Sequence, residues 1–244
     1  MIEVVTDAAR RGEKLAAILG RSVAADAALT AAVADIVEGV RRRGDAALAE
    51  YTERFDGVRL RPEEFRVEES ALRASAARVG SRVLEAIRAS IRNVRAFHEH
   101  ERAESWEVES GRGVRLGQRV LPVEAAGLYV PGGTASYPSS VVMNVVPAPV
   151  AGVERIAVVT PPRTLSETPA VAAALVELGV TEIYQVGGAQ AVAALAYGTE
   201  TVPRVDVITG PGNLYVQEAK RLVSGDVGID GFLGPSDLLV LGAA

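Results

Sequence analysis

Residues 126–134 read Ala126-Gly127-Leu128-Tyr129-Val130-Pro131-Gly132-Gly133-Thr134. A short apolar run closed by proline and glycine fits a buried strand over 126–130 that ends in a tight turn. A helical segment over 139–151 follows it. The same succession recurs downstream, with strands predicted over 156–160, 182–186 and 205–209 and helices over 167–178, 189–197 and 214–223. Strands that are apolar on both faces and alternate with helices specify a parallel sheet covered on both sides. Right-handed crossovers place all the strand C-termini on one edge, where sheets of this kind bind ligands.

Upstream the chain changes character. Residues 1–120 hold 21 Lys+Arg and 20 Asp+Glu, whereas residues 121–244 hold 5 and 11, and Pro62 is the only one of the 12 prolines before position 120. Ala31, Val33, Ile36, Val37 and Val40 recur at helical spacing, and Gly44 ends that pattern. A second helix over 45–55 closes on Asp56-Gly57. A third helical region over 69–104 carries the stripe Leu84, Ile87, Ile91, Val94 and Phe97, which predicts that Phe97 is buried. Segments 106–109 and 114–120, separated by Ser110-Gly111-Arg112-Gly113, form a predicted β-hairpin. The fold class is therefore α/β: a helical N-terminal region with a β-hairpin over 1–122, acting as scaffold, followed by a Rossmann-like parallel sheet domain over 123–230.

Composition narrows the function. Hydrophobic residues make up 48% of the 244, so the chain can bury a sizeable core. A net charge of -5 argues against nucleic acid or an anionic membrane surface as the main partner and favours a small-molecule substrate. With no cysteine, disulfides, thiolate metal sites and cysteine nucleophiles are excluded. Residues 1–7 carry two acids and no apolar h-region, so no signal peptide is read and a cytoplasmic location is expected. Residues 125–153 hold no charged side chain. Pro131, Pro138, Pro147 and Pro149 within them would leave backbone groups unsatisfied in lipid, so the tract reads as core rather than as a membrane span. His98 and His100, two apart on a helix, point about 200° away from each other and cannot share one metal ion.

The chemistry is expected in the turns that follow the strands. Val130-Pro131-Gly132-Gly133-Thr134, Val186-Gly187-Gly188-Ala189-Gln190 and Thr209-Gly210-Pro211-Gly212-Asn213 each set glycines between a strand end and a helix start. Such loops bring backbone N–H groups close to a ligand, and the helix N-terminus favours an anion such as a pyrophosphate. Turns of this kind need glycine on structural grounds too, so it is the three together that point to a nucleotide crevice. Neither G-x-G-x-x-G nor a P-loop is present. Recognition would rest on backbone amides and on the neutral side chains of Tyr129, Gln190 and Asn213. Each has a plain structural alternative: Tyr129 as core packing with its hydroxyl satisfied, Gln190 and Asn213 as turn caps.

Taken in order, Gly127-Leu128-Tyr129-Val130-Pro131-Gly132-Gly133, Val186-Gly187-Gly188-Ala189-Gln190-Ala191, Gly210-Pro211-Gly212-Asn213 and Gly234-Pro235-Ser236-Asp237 resemble histidinol dehydrogenases. The resemblance extends through Arg43-Gly44-Asp45-Ala46-Ala47-Leu48, Tyr51-Thr52-Glu53-Arg54-Phe55-Asp56-Gly57 and Leu116-Gly117-Gln118-Arg119-Val120. It implies oxidation of L-histidinol to L-histidine in two NAD-dependent steps through an aldehyde, with zinc as a second cofactor and a homodimer as the working state. By motif position it assigns Tyr129, Gln190 and Asn213 to NAD and the hydroxyl of Ser236 to the substrate.

It also implies that residues 231–244 turn back toward the first domain, with a strand over 238–241. In that family a Gln-x-x-His pair of zinc ligands, a Glu-His catalytic pair and further Asp and His ligands follow the Gly-Pro-Ser-Glu motif. Here Asp237 stands at the glutamate position and the sequence stops at Ala244, so no catalytic residue and no metal ligand is assigned within these 244 residues. Two other readings stay open: a short paralogue that binds a nucleotide or a partner without catalysis, and a different α/β enzyme that reuses the glycine-rich edge. Apolar surface left without a partner layer predicts association of the chain.

Overall fold

The structure, a computed structural model, describes residues 7–19, 27–132 and 137–231. The helices come first: α1 (Ala8–Leu19), α2 (Ala27–Arg43), α3 (Asp45–Asp56), α4 (Pro62–Phe65), α5 (Glu69–Ala76) and α6 (Ser81–His100). β1 (Trp106–Ser110) and β2 (Val114–Gln118) form the expected antiparallel hairpin, with Val108 facing Leu116. β3 (Ala125–Tyr129) opens the alternating part. It continues through α7 (Pro138–Val145), α8 (Pro147–Val150), β4 (Arg155–Val159), α9 (Thr164–Glu167), α10 (Pro169–Glu177), β5 (Glu182–Tyr184), α11 (Gly188–Tyr197), β6 (Val207–Thr209), α12 (Leu214–Val223) and β7 (Gly228–Ile229).

The larger sheet has five strands in the order β5-β4-β3-β6-β7, all parallel. The chain winds outward from β3 through β4 to β5, then returns through α11 to lay β6 on the other side of β3. This is the doubly wound order, and it reverses direction beside β3. Alternate residues of each strand feed two cores. Ala125, Tyr129, Ala157, Val159, Tyr184 and Ile208 face one side with α2, α3, α11 and α12, whereas Ala126, Leu128, Val158 and Ile183 face the other with α5, α6, α7 and α10. The N-terminal helices thus supply a layer on each face of the sheet. The uncharged tract 125–153 folds into β3, α7 and α8 within this interior, and among the described residues no helix is long and apolar enough to cross a membrane.

Four expectations need correction. The helical region over 69–104 is two helices, because the chain turns between Ala76 and Ser81 so that α5 and α6 can both reach α10. The helix over 139–151 divides into α7 and α8 at Pro147, whose ring cannot continue an uninterrupted helical ladder, and that over 167–178 divides at Pro169. Phe97 is 62% exposed rather than buried: Ile87 is the contact point of α6 with the core, Leu84, Ile91 and Val94 are partly buried, and the last turn runs past the layer it covers. Three further elements were not expected from the sequence: α1, which is amphipathic but lies before the first assigned helix, and the short α4 and β7. The strand expected over 238–241 lies outside the described residues.

Candidate functional site

The turns at the C-terminal edge of the sheet converge on one cavity of about 450 Å³. Pro131 and Gly132 follow β3, Pro161 follows β4, Gly188, Ala189 and Gln190 open α11 after β5, and Asn213 and Tyr215 come after β6. The cavity therefore sits where the strand order reverses, the position at which open α/β sheets bind ligands. Its remaining walls are Ile36 of α2 and Phe55 and Asp56 of α3. A larger cavity of about 690 Å³, lined by Leu121, Val123, Leu128, Met143 and Val207 among others, lies against the second face of the sheet and includes none of the glycine turns.

Tyr129, Gln190 and Asn213, predicted separately, are brought together here. Tyr129 is the last residue of β3 and is buried; its hydroxyl accepts a hydrogen bond from the Gly188 backbone N–H at 3.1 Å, which leaves the hydroxyl proton to be donated. Burial pushes this hydroxyl up to about 12, so it is a neutral donor at ordinary pH. Gly188 has φ +65°, a left-handed conformation that turns the chain into α11 and aims its N–H at Tyr129. Gln190, in the first turn of α11, is 1% exposed, and its Nε2 has no hydrogen-bond partner among the described residues. A buried amide donor without an acceptor is costly, so a ligand carbonyl, hydroxyl or phosphate oxygen there would complete it. Asn213 is the N-cap of α12: its Oδ1 accepts from Val216 N–H at 3.1 Å, which orients the amide NH₂ of the same side chain at the cavity rim.

The Asn213 turn is itself held from below. Lys220 of α12 is fully buried, and its ammonium donates to the Gly210 carbonyl and to Asp230 Oδ1, each at 2.6 Å. Asp230 Oδ2 accepts from Gly210 N–H at 2.8 Å, so one ion pair grips both backbone groups of Gly210. Gly210 adopts φ +118°, and a Cβ there would stand 2.2 Å from the Tyr129 carbonyl oxygen, so the turn after β6 is seated directly against the end of β3.

Sequence reasoning missed the contribution of the N-terminal half. The scaffold reading of that half is corrected by Ile36, Phe55 and Asp56, which reach the cavity because α2 and α3 pack on α11 and α12. The available signal was the aromatic-acid-glycine end of α3, Phe55-Asp56-Gly57. Asp56 is half-buried, burial pushes its carboxyl above the ordinary value, and Oδ2 lacks a hydrogen-bond partner among the described residues. Gly133, Thr134, Ser236 and Asp237 lie outside the described residues. His98 pairs through Nδ1 with Glu101 Oε2 at 2.6 Å on an exposed helix end. Among the described residues no group of three or more His, Cys, Asp or Glu could hold a metal ion, so the zinc implied by resemblance finds no fitting donor set there.

Fold and cleft together define a doubly wound α/β protein with a glycine-lined cavity at the reversal of strand order. Comparison with known proteins makes this specific. The family model for histidinol dehydrogenase matches residues 19–243, and the chain belongs to that family. It is 56% identical over 211 residues to a histidinol dehydrogenase of Geobacillus kaustophilus (strain HTA426), covering 86% of this chain and 49% of the relative. It is 49% identical over 237 residues to that of Aromatoleum aromaticum (strain DSM 19018 / LMG 30748 / EbN1), covering 96% and 54%. A crystal structure of histidinol dehydrogenase from Elizabethkingia anophelis superimposes with a TM-score of 0.82 at 33% identity, covering 92% of this chain and 52% of that one. The chain spans about half the length of the curated relatives it matches.

Proposed function

We propose that this chain is the NAD-binding part of a histidinol dehydrogenase, acting on L-histidinol in the cytoplasm as part of a homodimer. The observation that carries the reading is Gln190 Nε2, without a hydrogen-bond partner among the described residues, in one cavity with Tyr129 and Asn213 at the strand-order reversal. NAD, when bound, supplies the hydride acceptor for oxidation of the alcohol and then of the aldehyde. The chain's own task is to bind and orient. Tyr129 and Gln190 offer neutral donors from buried positions, and α11 and α12 both begin at the cavity, where backbone N–H groups and helix dipoles favour a pyrophosphate without side-chain cations. Pro131, Pro161 and Ala189 exclude water along the apolar wall. Ser236 is assigned to the substrate by its place in the Gly-Pro-Ser-Asp motif. No zinc ligand and no acid–base pair is assigned among these 244 residues, and no step is derived for them.

Calorimetric titration with NAD tests the reading. The 244-residue chain should bind NAD saturably, with no change on adding zinc or histidinol. Gln190→Ala should weaken binding about tenfold or more, the loss expected of a buried hydrogen bond in a dry site. A folded parent chain with no affinity for NAD, or a Gln190→Ala variant with unaltered affinity, would refute it.

A further inference from the structure

The Gln190 cavity does not end at Asp56. A second cavity of about 540 Å³ shares Phe55, Asp56, Pro131, Gly132 and Pro161 with it and continues past Arg163 and Thr164. Asp56 lines both cavities and so stands at the joint between the two. Phe55 and Tyr215, each about half exposed, present aromatic surface to the first cavity. The geometry points to Asp56 as the acceptor that holds the ribose hydroxyls of the dinucleotide and selects the form without a 2′-phosphate, an assignment that rests on the dinucleotide reading above.

Three features support it. Asp56 Oδ2 is buried with no donor among the described residues, an arrangement whose cost a ligand with vicinal hydroxyls would remove by donating to an acceptor-only carboxylate. In doubly wound sheets the acid that takes the ribose hydroxyl commonly follows the strand next to the first. That strand is β4, and Thr160-Pro161-Pro162-Arg163 after it holds no acid. Glu167 of α9 also lines the second cavity but is exposed, so the carboxylate with a buried, unpartnered oxygen at this edge is Asp56, at the end of α3. A 2′-phosphate in the same place would set its charge against Asp56 in a partly desolvated site, which is strongly unfavourable. Arg163 marks the rival arrangement, since an arginine after this strand is the usual partner of a 2′-phosphate.

The test titrates the parent chain with NAD, NADP and AMP, and repeats each titration with Asp56→Asn, Asp56→Ala and Arg163→Ala after checking thermal midpoints. The parent is expected to prefer NAD over NADP at least about tenfold, and Asp56→Asn to lose most of that preference by weakening NAD while NADP is unchanged or tighter. Arg163→Ala should leave the ratio in place. If NAD and NADP bind the parent equally, or if NADP is preferred and only Arg163→Ala alters the ratio, the Asp56 assignment falls while the dinucleotide reading stands. If none of the three ligands binds a folded parent, both fall. Where an Asp56 variant fails to fold, a parent that binds NAD and NADP equally still overturns the assignment.

Discussion

Tyr129 shows how one residue serves both the fold and the site. Its ring belongs to the core against α11, and its hydroxyl fixes the Gly188 turn from which Gln190 departs. Burial raises its folded hydroxyl from an ordinary value of 10.0 to about 12, and Tyr184 is raised to about 12 by burial as well. A raised acid holds its proton more firmly in the folded state than in the unfolded one. The associated stability is complete below pH 10 and is lost as pH climbs toward 12. We expect the thermal midpoint to fall across that interval and the fall to be shallower in Tyr129→Phe, as read by circular dichroism melts at stepped pH. The candidate donors were legible as residues because glycines flank them in sequence. Asp56 was not, because what makes it notable is burial beside Tyr129, some seventy positions away along the chain and visible only after folding.

The buried Lys220–Asp230 pair couples two elements, α12 and the end of β7, to the turn that bears Asn213. Removing one partner leaves the other short of its charge, and because Asp230 keeps some contact with solvent the cost falls at the low end for buried pairs, about 3 kcal/mol. Lys220→Met should therefore lower the unfolding free energy obtained from urea titration by that amount, with a lower midpoint, and Lys220→Met with Asp230→Asn should recover part of it. An unchanged midpoint in the single variant would show that the pair is not a clamp. Elements of this kind explain the uneven legibility of the fold. β3 to β6 were readable because each is a compact apolar run between turn formers. β7 spans Gly228–Ile229, and what places it is its pairing with β6 and the grip of Asp230 on Gly210. The division of the 69–104 region likewise follows from the reach of α10, which no periodicity encodes.

At the scale of the whole molecule, the sheet is well covered but its surroundings are not. On the hairpin, Trp106, Val108, Val114 and Leu116 lie on one face, since residues two apart share a side and Val108 faces Leu116, and all four are about half exposed. Near the sheet's second face, Leu121, Val123 and Met143 add exposed apolar surface along the 690 Å³ cavity. Contiguous apolar surface of this kind is uncommon on a soluble monomer and favours association. We expect the isolated chain to self-associate, with sedimentation coefficients that rise with concentration. Val108→Lys with Leu116→Glu places opposite charges on facing hairpin positions, so strand pairing is kept while the apolar face is removed. That double variant should sediment closer to a monomer with its melting curve little changed. A parent chain that sediments as a single monomeric species at all concentrations would show that these apolar faces do not drive association, and would remove the hairpin as a contact surface of the proposed homodimer.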